Sequence, residues 1–331
     1  MKKFFSILIS ILFMISSIPM DGFAIEPTGK NNGERMNTIP IAMAADNNYV
    51  YPTLVAMTSI LENANPDTKY DFHFMVPGEF TDENKKIIKS LESKYKRCSI
   101  NIIDMGDAFK SAKSDSRITT PTYYRLYLSS LLPNIDKIIW LDGDTITFGD
   151  LTEMINLDME NYYFRGFLDN NINGTSSFGI NSDNFICAGV MLINLQALRD
   201  NNMQESFSKF IEENNDRLIQ HDQTVINVLC YNKIGVLPPK FGIWNYGNKN
   251  SAISHLRRLK ERFRYNEMEF MEAYKAPVIV HYVRRKPWSQ KGNLCFMNKW
   301  YEYAKKTDYF KEIQQQYCHN NPSGSNLSYN T

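Results

Sequence analysis

Asp142-Gly143-Asp144 is the stretch of this sequence whose residue types and spacing point most directly to chemistry. It ends the apolar run Ile138, Ile139, Trp140 and Leu141, the pattern of a strand buried on both faces of a sheet. Burying two uncompensated carboxylates at i and i+2 would cost on the order of several kcal/mol each. A divalent cation held between them at the strand end removes that cost. Oxygen ligands suit Mg2+ or Mn2+, and such a cation can in turn hold a diphosphate. A polar turn after an edge strand is the competing reading.

Two further residues can join the carboxylates. His281 follows the short apolar run Val278, Ile279, Val280, and an imidazole suits a borderline metal such as Mn2+. A core histidine with its hydrogen bonds satisfied is the ordinary alternative. Lys286, set between Arg285 and Pro287, has the charge to meet a phosphate, or it belongs to a solvated basic turn.

The elements that must position these groups alternate along the chain. The sequence predicts a strand over Ile39–Ala45, a helix from Pro52 to Asn63, and a strand over Phe72–Val76. A helix through Tyr95 follows, capped by Thr81 with Asp82 and Glu83 in its first turn. Then come a strand over Ile100–Ile103, a helix over Thr122–Leu132 and the strand that ends at Asp142. This order predicts an α/β fold: a Rossmann-like mixed sheet flanked by helices, with ligands at the strand C-termini. Asp46 and Asp142 both fall at such ends. Beyond residue 150 the pattern loosens. Asn170–Asn184 reads as a long loop, Ala188–Leu195 as a buried strand and Asp222–Cys230 as a helix.

Composition bounds the rest. The chain has 331 residues, 43% hydrophobic and 22% charged, with net charge +1, so nothing points to nucleic acid as a partner. Five scattered cysteines without a CxxC pair argue against a disulfide framework or a thiolate zinc site. Lys2 and Lys3 precede an uncharged run, Phe4–Ile18, and Gly22-Phe23-Ala24 follows, the layout of a signal peptide or membrane anchor over residues 1–24. Residues 25–37 read as a linker, 38–305 as a single folded domain and 306–331 as a partly disordered tail. The expectation is a chain exported, or associated with a membrane, through its N-terminal hydrophobic segment. Arg257, Arg258, Lys260, Arg262 and Arg264 read mainly as a solvated helix face, with an anionic lipid or glycan as the sharper reading. Asn173-Gly174-Thr175 and Asn326-Leu327-Ser328 match the N-glycosylation pattern.

Seven motifs occur in one order: AADNNY (Ala44–Tyr49), TTPTYYRL (Thr119–Leu126), WLDGDT (Trp140–Thr145), CAGVMLINL (Cys187–Leu195), HDQTVIN (His221–Asn227), LPPKFGIWN (Leu237–Asn245) and HYVRRKPW (His281–Trp288). Together they resemble glycosyltransferase family 8, from about residue 38 to about 300. The resemblance implies a GT-A fold and a retaining transfer of glucose or galactose from a UDP-sugar to a glycan or lipid-linked saccharide. It implies Mn2+, with Mg2+ as the alternative. By motif position Asp142, Asp144 and His281 would bind the metal, and Asp46, Asn48 and Tyr49 the uracil and ribose. Ala44 and Gly143 would belong to the same donor site, and Lys286 would contact the diphosphate. Arg125, Asp169, Asp222 and Gln223 would line the donor sugar, the last three as catalytic candidates.

Two departures stand out against that pattern. HYVRRKPW is one residue shorter than the family's HxxGxxKPW and lacks its glycine, so Arg284 or Arg285 could share the role of Lys286. Cys187 replaces the usual Asn before AGV, which bears on sugar choice. Haloacid-dehalogenase phosphatases also end a strand in DxD, but their pattern needs Thr or Val where Ile146 stands. A degenerate, non-catalytic sugar-nucleotide or glycan-binding protein of the same fold is the remaining alternative.

Overall fold

The computed structural model describes residues 37–115, 119–169, 173–180, 184–246, 249–260, 265–283, 285–288 and 295–318. Their centre is a seven-stranded sheet in the order β3-β2-β1-β4-β7-β6-β8. Its strands are β1 (Asn37–Ala44), β2 (Thr68–Val76), β3 (Cys98–Asp104), β4 (Lys137–Leu141), β6 (Phe164–Leu168), β7 (Ile186–Asn194) and β8 (Ile234–Val236). The first half is parallel: β1 pairs with β2 and β4, and β2 with β3. The direction then reverses, with β4 antiparallel to β7 and β7 antiparallel to β6. A small second sheet joins β5 (Thr145–Thr147), β10 (Ile279–His281) and β9 (Ile243–Trp244).

The apolar run that ends at Asp142 is a strand because both of its faces are covered. Ile138, Ile139 and Leu141 are fully buried, in clusters on opposite sides of the sheet. Each contributes roughly 1.5–3 kcal/mol by leaving water. The helix Val50–Glu62 is buried nearly all round, because it lies between the main sheet, β5 and the helix Met297–Ala304. Asn63 fastens its end, donating to the Thr147 carbonyl at 3.0 Å and to the Tyr303 hydroxyl at 2.7 Å. Thr81 caps the next helix, Asp82–Lys94, its hydroxyl accepting from the Asn84 amide at 3.2 Å.

Several expectations change. Thr122–Leu132 is not one α-helix: Thr120–Tyr127 is a 3-10 helix, and only Leu128–Leu131 is α-helical. Tyr123, Tyr124, Arg125 and Leu126 are buried in succession, so the segment has no solvent face to set an α-helical period. Within the expected loop Asn170–Asn184, Asn173–Ser176 forms a short helix. Within the tail 306–331, read from the sequence as partly disordered, Phe310–Cys318 forms a helix.

The expected export or membrane association through the N-terminal segment is corrected. Among the described residues no helix is long and apolar enough to cross a membrane. The signal-like segment itself lies outside the described residues, as do Arg262, Arg264, Arg284 and the Asn326 motif.

Candidate active site

The end of β4 and the small sheet bring the acidic pair to His281. Past Leu141 the Asp142 amide donates to the Gly189 carbonyl at 2.8 Å, which continues the ladder by one bond and turns the chain out. Gly143 is required by close approach: a Cβ there would lie 2.2 Å from the Thr53 hydroxyl oxygen and 3.3 Å from the Tyr49 ring. Thr145 then pairs with His281 in the antiparallel β5–β10 ladder. The Tyr282 amide closes the corner on the Asp144 carbonyl at 2.9 Å.

Asp142, Asp144 and His281 each aim one ligand atom into a common space, all within 4.8 Å of one another. His281 Nε2 lies 3.1 Å from Asp144 Oδ1 and 4.0 Å from Asp142 Oδ2. Asp144 Oδ1 is buried and accepts no well-aligned hydrogen bond. A buried carboxylate oxygen left in that state beside an imidazole nitrogen fits a divalent cation of intermediate hardness. Lys286 is ion-paired to the other oxygen of Asp144. Burial alone would raise Asp144, but Lys286 and His281 outweigh it and hold the carboxyl well below the usual range. Burial would lower His281, yet Asp144 overrides it and pushes the ring up to about 10.

Arg125 ties this cluster to the remaining sugar-side candidates. It is buried against the Trp140 ring, 4.3 Å from guanidinium to centroid. Its Nη2 meets Asp142 Oδ1 and its Nε meets Asp222 Oδ2, both at 3.0 Å, while Nη1 donates to the Ala188 carbonyl. Burial pushes Asp222 up to about 6, against the pull of Arg125. Gln223 is fixed at both ends: its Oε1 accepts from the Ala188 amide and its Nε2 donates to Asp169 Oδ2, each at 3.0 Å. That arrangement sets the amide's orientation and aligns Asp169 beside it. Asp222 and Gln223 are delivered by the start of the helix His221–Leu229, where His221 adopts a left-handed φ of 50°.

The third group lies after β1. Ala44 ends that strand half-buried. Asp46 Oδ1 accepts from the Asn48 amide at 2.9 Å, which makes a tight Asx turn. Tyr49 follows, in edge contact with the Trp288 ring at 5.7 Å between centroids. The thirteen residues singled out in the sequence thus fall in three groups: Arg125 joins the sugar-side group to Asp142, and Gly143 closely approaches Tyr49 of the third. The sequence reading did not foresee three further contacts, one of them made by Cys187, which it had singled out only for sugar choice. Trp140 Nε1 donates to Asp142 Oδ1 at 2.8 Å. Gly189 would place a Cβ 2.1 Å from His281 Cε1. Cys187 Sγ lies 3.8 Å from His281 Nδ1. The AGV glycine and the tryptophan before the acidic pair were visible signals for the first two.

The profile of glycosyl transferase family 8 matches residues 40–292, and the chain belongs to that family. Among curated relatives, an Escherichia coli lipopolysaccharide 1,2-glucosyltransferase is 25% identical over 296 residues, covering 85% of this chain and 79% of that one. A Haemophilus influenzae protein is 28% identical over 211 residues, covering 62% of this chain; the match spans 63% of that protein's length. Among solved structures, galactosyltransferase LgtC in complex with donor and acceptor sugar analogues superposes with a TM-score of 0.69 at 23% identity. That match covers 84% of this chain and 99% of LgtC, and it identifies the fold as GT-A.

Proposed function

We propose that this protein is a retaining hexosyltransferase that moves glucose or galactose from a UDP-sugar to a glycan or lipid-linked saccharide. The observation that carries the reading is the convergence of Asp142, Asp144 and His281 on one space, with Lys286 on one side and Arg125 on the other. The activity of the E. coli relative, a lipopolysaccharide glucosyltransferase, and the donor and acceptor analogues bound by LgtC support the substrate class.

Asp142, Asp144 and His281 would hold Mn2+, which when bound would neutralise charge on the diphosphate leaving group. The chain's own part is orientation and charge. Asp46, Asn48 and Tyr49 would seat the uridine, with the Tyr49 ring offering a face to the base. Lys286 would exchange its Asp144 partner for the leaving diphosphate. Asp222, held by Arg125, would accept from a donor hydroxyl, and Gln223 and Asp169 would border the anomeric carbon. An acceptor hydroxyl then bonds to that carbon as the bond to the UDP oxygen breaks, and its proton passes to the departing phosphate on the same face. This keeps the α configuration. Gln is a poor nucleophile, and the two-point hold on Gln223 suits positioning.

The test is UDP release from UDP-glucose and UDP-galactose with Mn2+, with and without EDTA. Donor-dependent release that stops in EDTA supports the proposal. A chain that binds UDP-sugars yet never turns them over is instead a binding protein of this fold.

A further inference from the structure

The helix Phe310–Cys318 lies beyond the residues the family profile matches, 40–292, and nothing in the seven motifs reaches it. It nevertheless packs against the turn that carries Asp46, Asn48 and Tyr49. The Tyr317 hydroxyl donates to the Asn48 carbonyl at 3.1 Å. The Tyr317 ring lies 6.2 Å from Trp288, and Trp288 in turn contacts Tyr49 at 5.7 Å. Burial, reinforced by Tyr51 and Asp46 nearby, pushes the Tyr317 hydroxyl well above its ordinary value, so it stays a donor throughout the working pH range.

The helix is not laid loosely on this surface. Ile313 is fully buried. Tyr309, just before the helix, packs on Tyr51 with centroids 6.3 Å apart. Asp308 pairs with Lys94 of the helix Asp82–Lys94 at 2.8 Å. Trp288 also packs on Trp300, with centroids 5.1 Å apart. One residue before it, the Pro287 carbonyl accepts from the Tyr301 hydroxyl at 3.0 Å. Segments after residue 292 therefore hold both the Asp46–Tyr49 turn and the Lys286–Trp288 segment.

We infer that Tyr317 is a positioning residue of the nucleotide site: it fixes the Asn48 carbonyl and, through Trp288, the Tyr49 ring that would meet the base. The inference rests on the proposed UDP-sugar donor. Asn48 is exposed at the tip of its turn. Its amide is held by Asp46, and its carbonyl by Tyr317. With both backbone ends of the residue held, the turn is presented in one backbone conformation, which lowers the ordering cost of binding. Without Tyr317 the turn keeps the Asx bond and the Tyr49 amide bond to the Asp46 carbonyl, but the Asn48 carbonyl loses its tie to the helix Phe310–Cys318, and Trp288 loses one of the rings that border it.

The experiment is UDP titration by calorimetry in the presence of Mn2+, with donor KM and kcat, on wild type, Tyr317→Phe and Tyr317→Ala. Tyr317→Phe removes one neutral hydrogen bond and keeps the ring, so UDP binding is expected to weaken about threefold to fivefold. Tyr317→Ala removes both contacts and is expected to weaken it tenfold or more. Donor KM should rise in parallel while kcat stays within about twofold, because neither contact reaches the transferred sugar. Mn2+ binding without nucleotide, read by electron paramagnetic resonance, should be unchanged in both variants. Faster amide exchange at Asn48 and Tyr49 in Tyr317→Phe, with the rest of the chain protected as in wild type, is the structural counterpart. Wild-type protein that binds no UDP overturns the nucleotide reading itself. Wild-type protein that binds UDP while Tyr317→Ala binds it equally well or more tightly overturns this inference alone. So does a loss in Tyr317→Ala that appears in kcat or in Mn2+ binding and leaves KM untouched.

Discussion

The Lys286 ammonium is ion-paired to Asp144, 142 residues away in the chain, and the other oxygen of that carboxylate faces His281. One buried carboxylate is thus shared between a cation of the chain and a candidate metal ligand. Lysine and a metal ion would compete for it. Lys286→Ala is therefore expected to have effects of opposite sign. Mn2+ alone should bind more tightly, since a competing positive charge is gone. UDP should bind more weakly and donor KM should rise, since a phosphate contact is gone. Titrating Mn2+ with and without UDP separates the two. If UDP affinity survives in Lys286→Ala and falls in Arg285→Ala, the arginine holds the phosphate.

Removing a metal ligand should be far more damaging. Asp142→Ala and Asp144→Ala are each expected to lower transfer roughly a hundredfold or more, the scale of losing a group that neutralises developing charge. His281→Ala should act in the same direction with a smaller loss, because two carboxylates remain. Full activity of the wild-type enzyme in EDTA would refute the metal assignment. Circular dichroism of the variants checks that the fold persists.

The acidic pair was the most legible part of the chain, and the reason is physical. An apolar run as continuous as Ile138–Leu141 has few outcomes besides a buried strand, and the carboxylates after it have few tolerable places other than a ligand site. The helix Asp82–Lys94 was equally readable, because a capping threonine and acidic first turn are local signals. The 3-10 segment Thr120–Tyr127 was not: its consecutive buried residues carry no period that separates one helix type from another. Pairing of β5 with β10, and the Tyr317 contact with Asn48, are long-range matches that leave no spacing in the sequence.

The acid–base state of His281 gives a prediction in pH. Burial would lower its pKa, but pairing with Asp144 lifts it from 6.5 to about 10 in the metal-free chain. A raised pKa means the folded state favours the proton. The stabilisation is complete below pH 6.5 and is lost as the pH rises through about 10. The metal-free melting temperature should fall between pH 7 and 10, and Asp144→Asn should flatten that fall. A metal ion must displace the same proton, so Mn2+ affinity should rise about tenfold per pH unit between pH 6.5 and 8.5. Affinity independent of pH there would remove His281 from the ligand set.

Gly189 sits where a side chain would collide with the site. A Cβ would lie 2.1 Å from His281 Cε1 and 2.8 Å from Asp142 Oδ2. Gly189→Ala is expected to cost about 1–3 kcal/mol in stability, the range of overpacking a close-packed site. It should also weaken Mn2+ binding by displacing two ligands together. Denaturant melts and Mn2+ titration on the same preparation check both. A fully stable variant with normal Mn2+ affinity would contradict the close approach.

The Gln223 prediction concerns stereochemistry. With its amide held by Ala188 and Asp169, Gln223→Ala should slow transfer substantially and leave measurable activity, since a positioning contact is lost and no covalent partner. The product should be α-linked, read by NMR on the first-formed glycoside. A sugar trapped on Gln223, Asp222 or Asp169, seen by mass spectrometry of the intact chain, would replace same-face attack with double displacement.

The register of the small sheet has a consequence for how such a chain can diversify. Thr145 and His281 are cross-strand partners, so the spacing between Asp144 and the imidazole is set by a backbone ladder and not by the long stretch of chain that joins them. Insertions and deletions in that stretch can reshape the surface an acceptor would meet without disturbing the ligand geometry. The shortened segment after His281 lies outside the ladder too. Chains of this kind can therefore drift widely in acceptor preference while the metal-ligand frame stays the same, and their loops make the natural place to graft a new specificity.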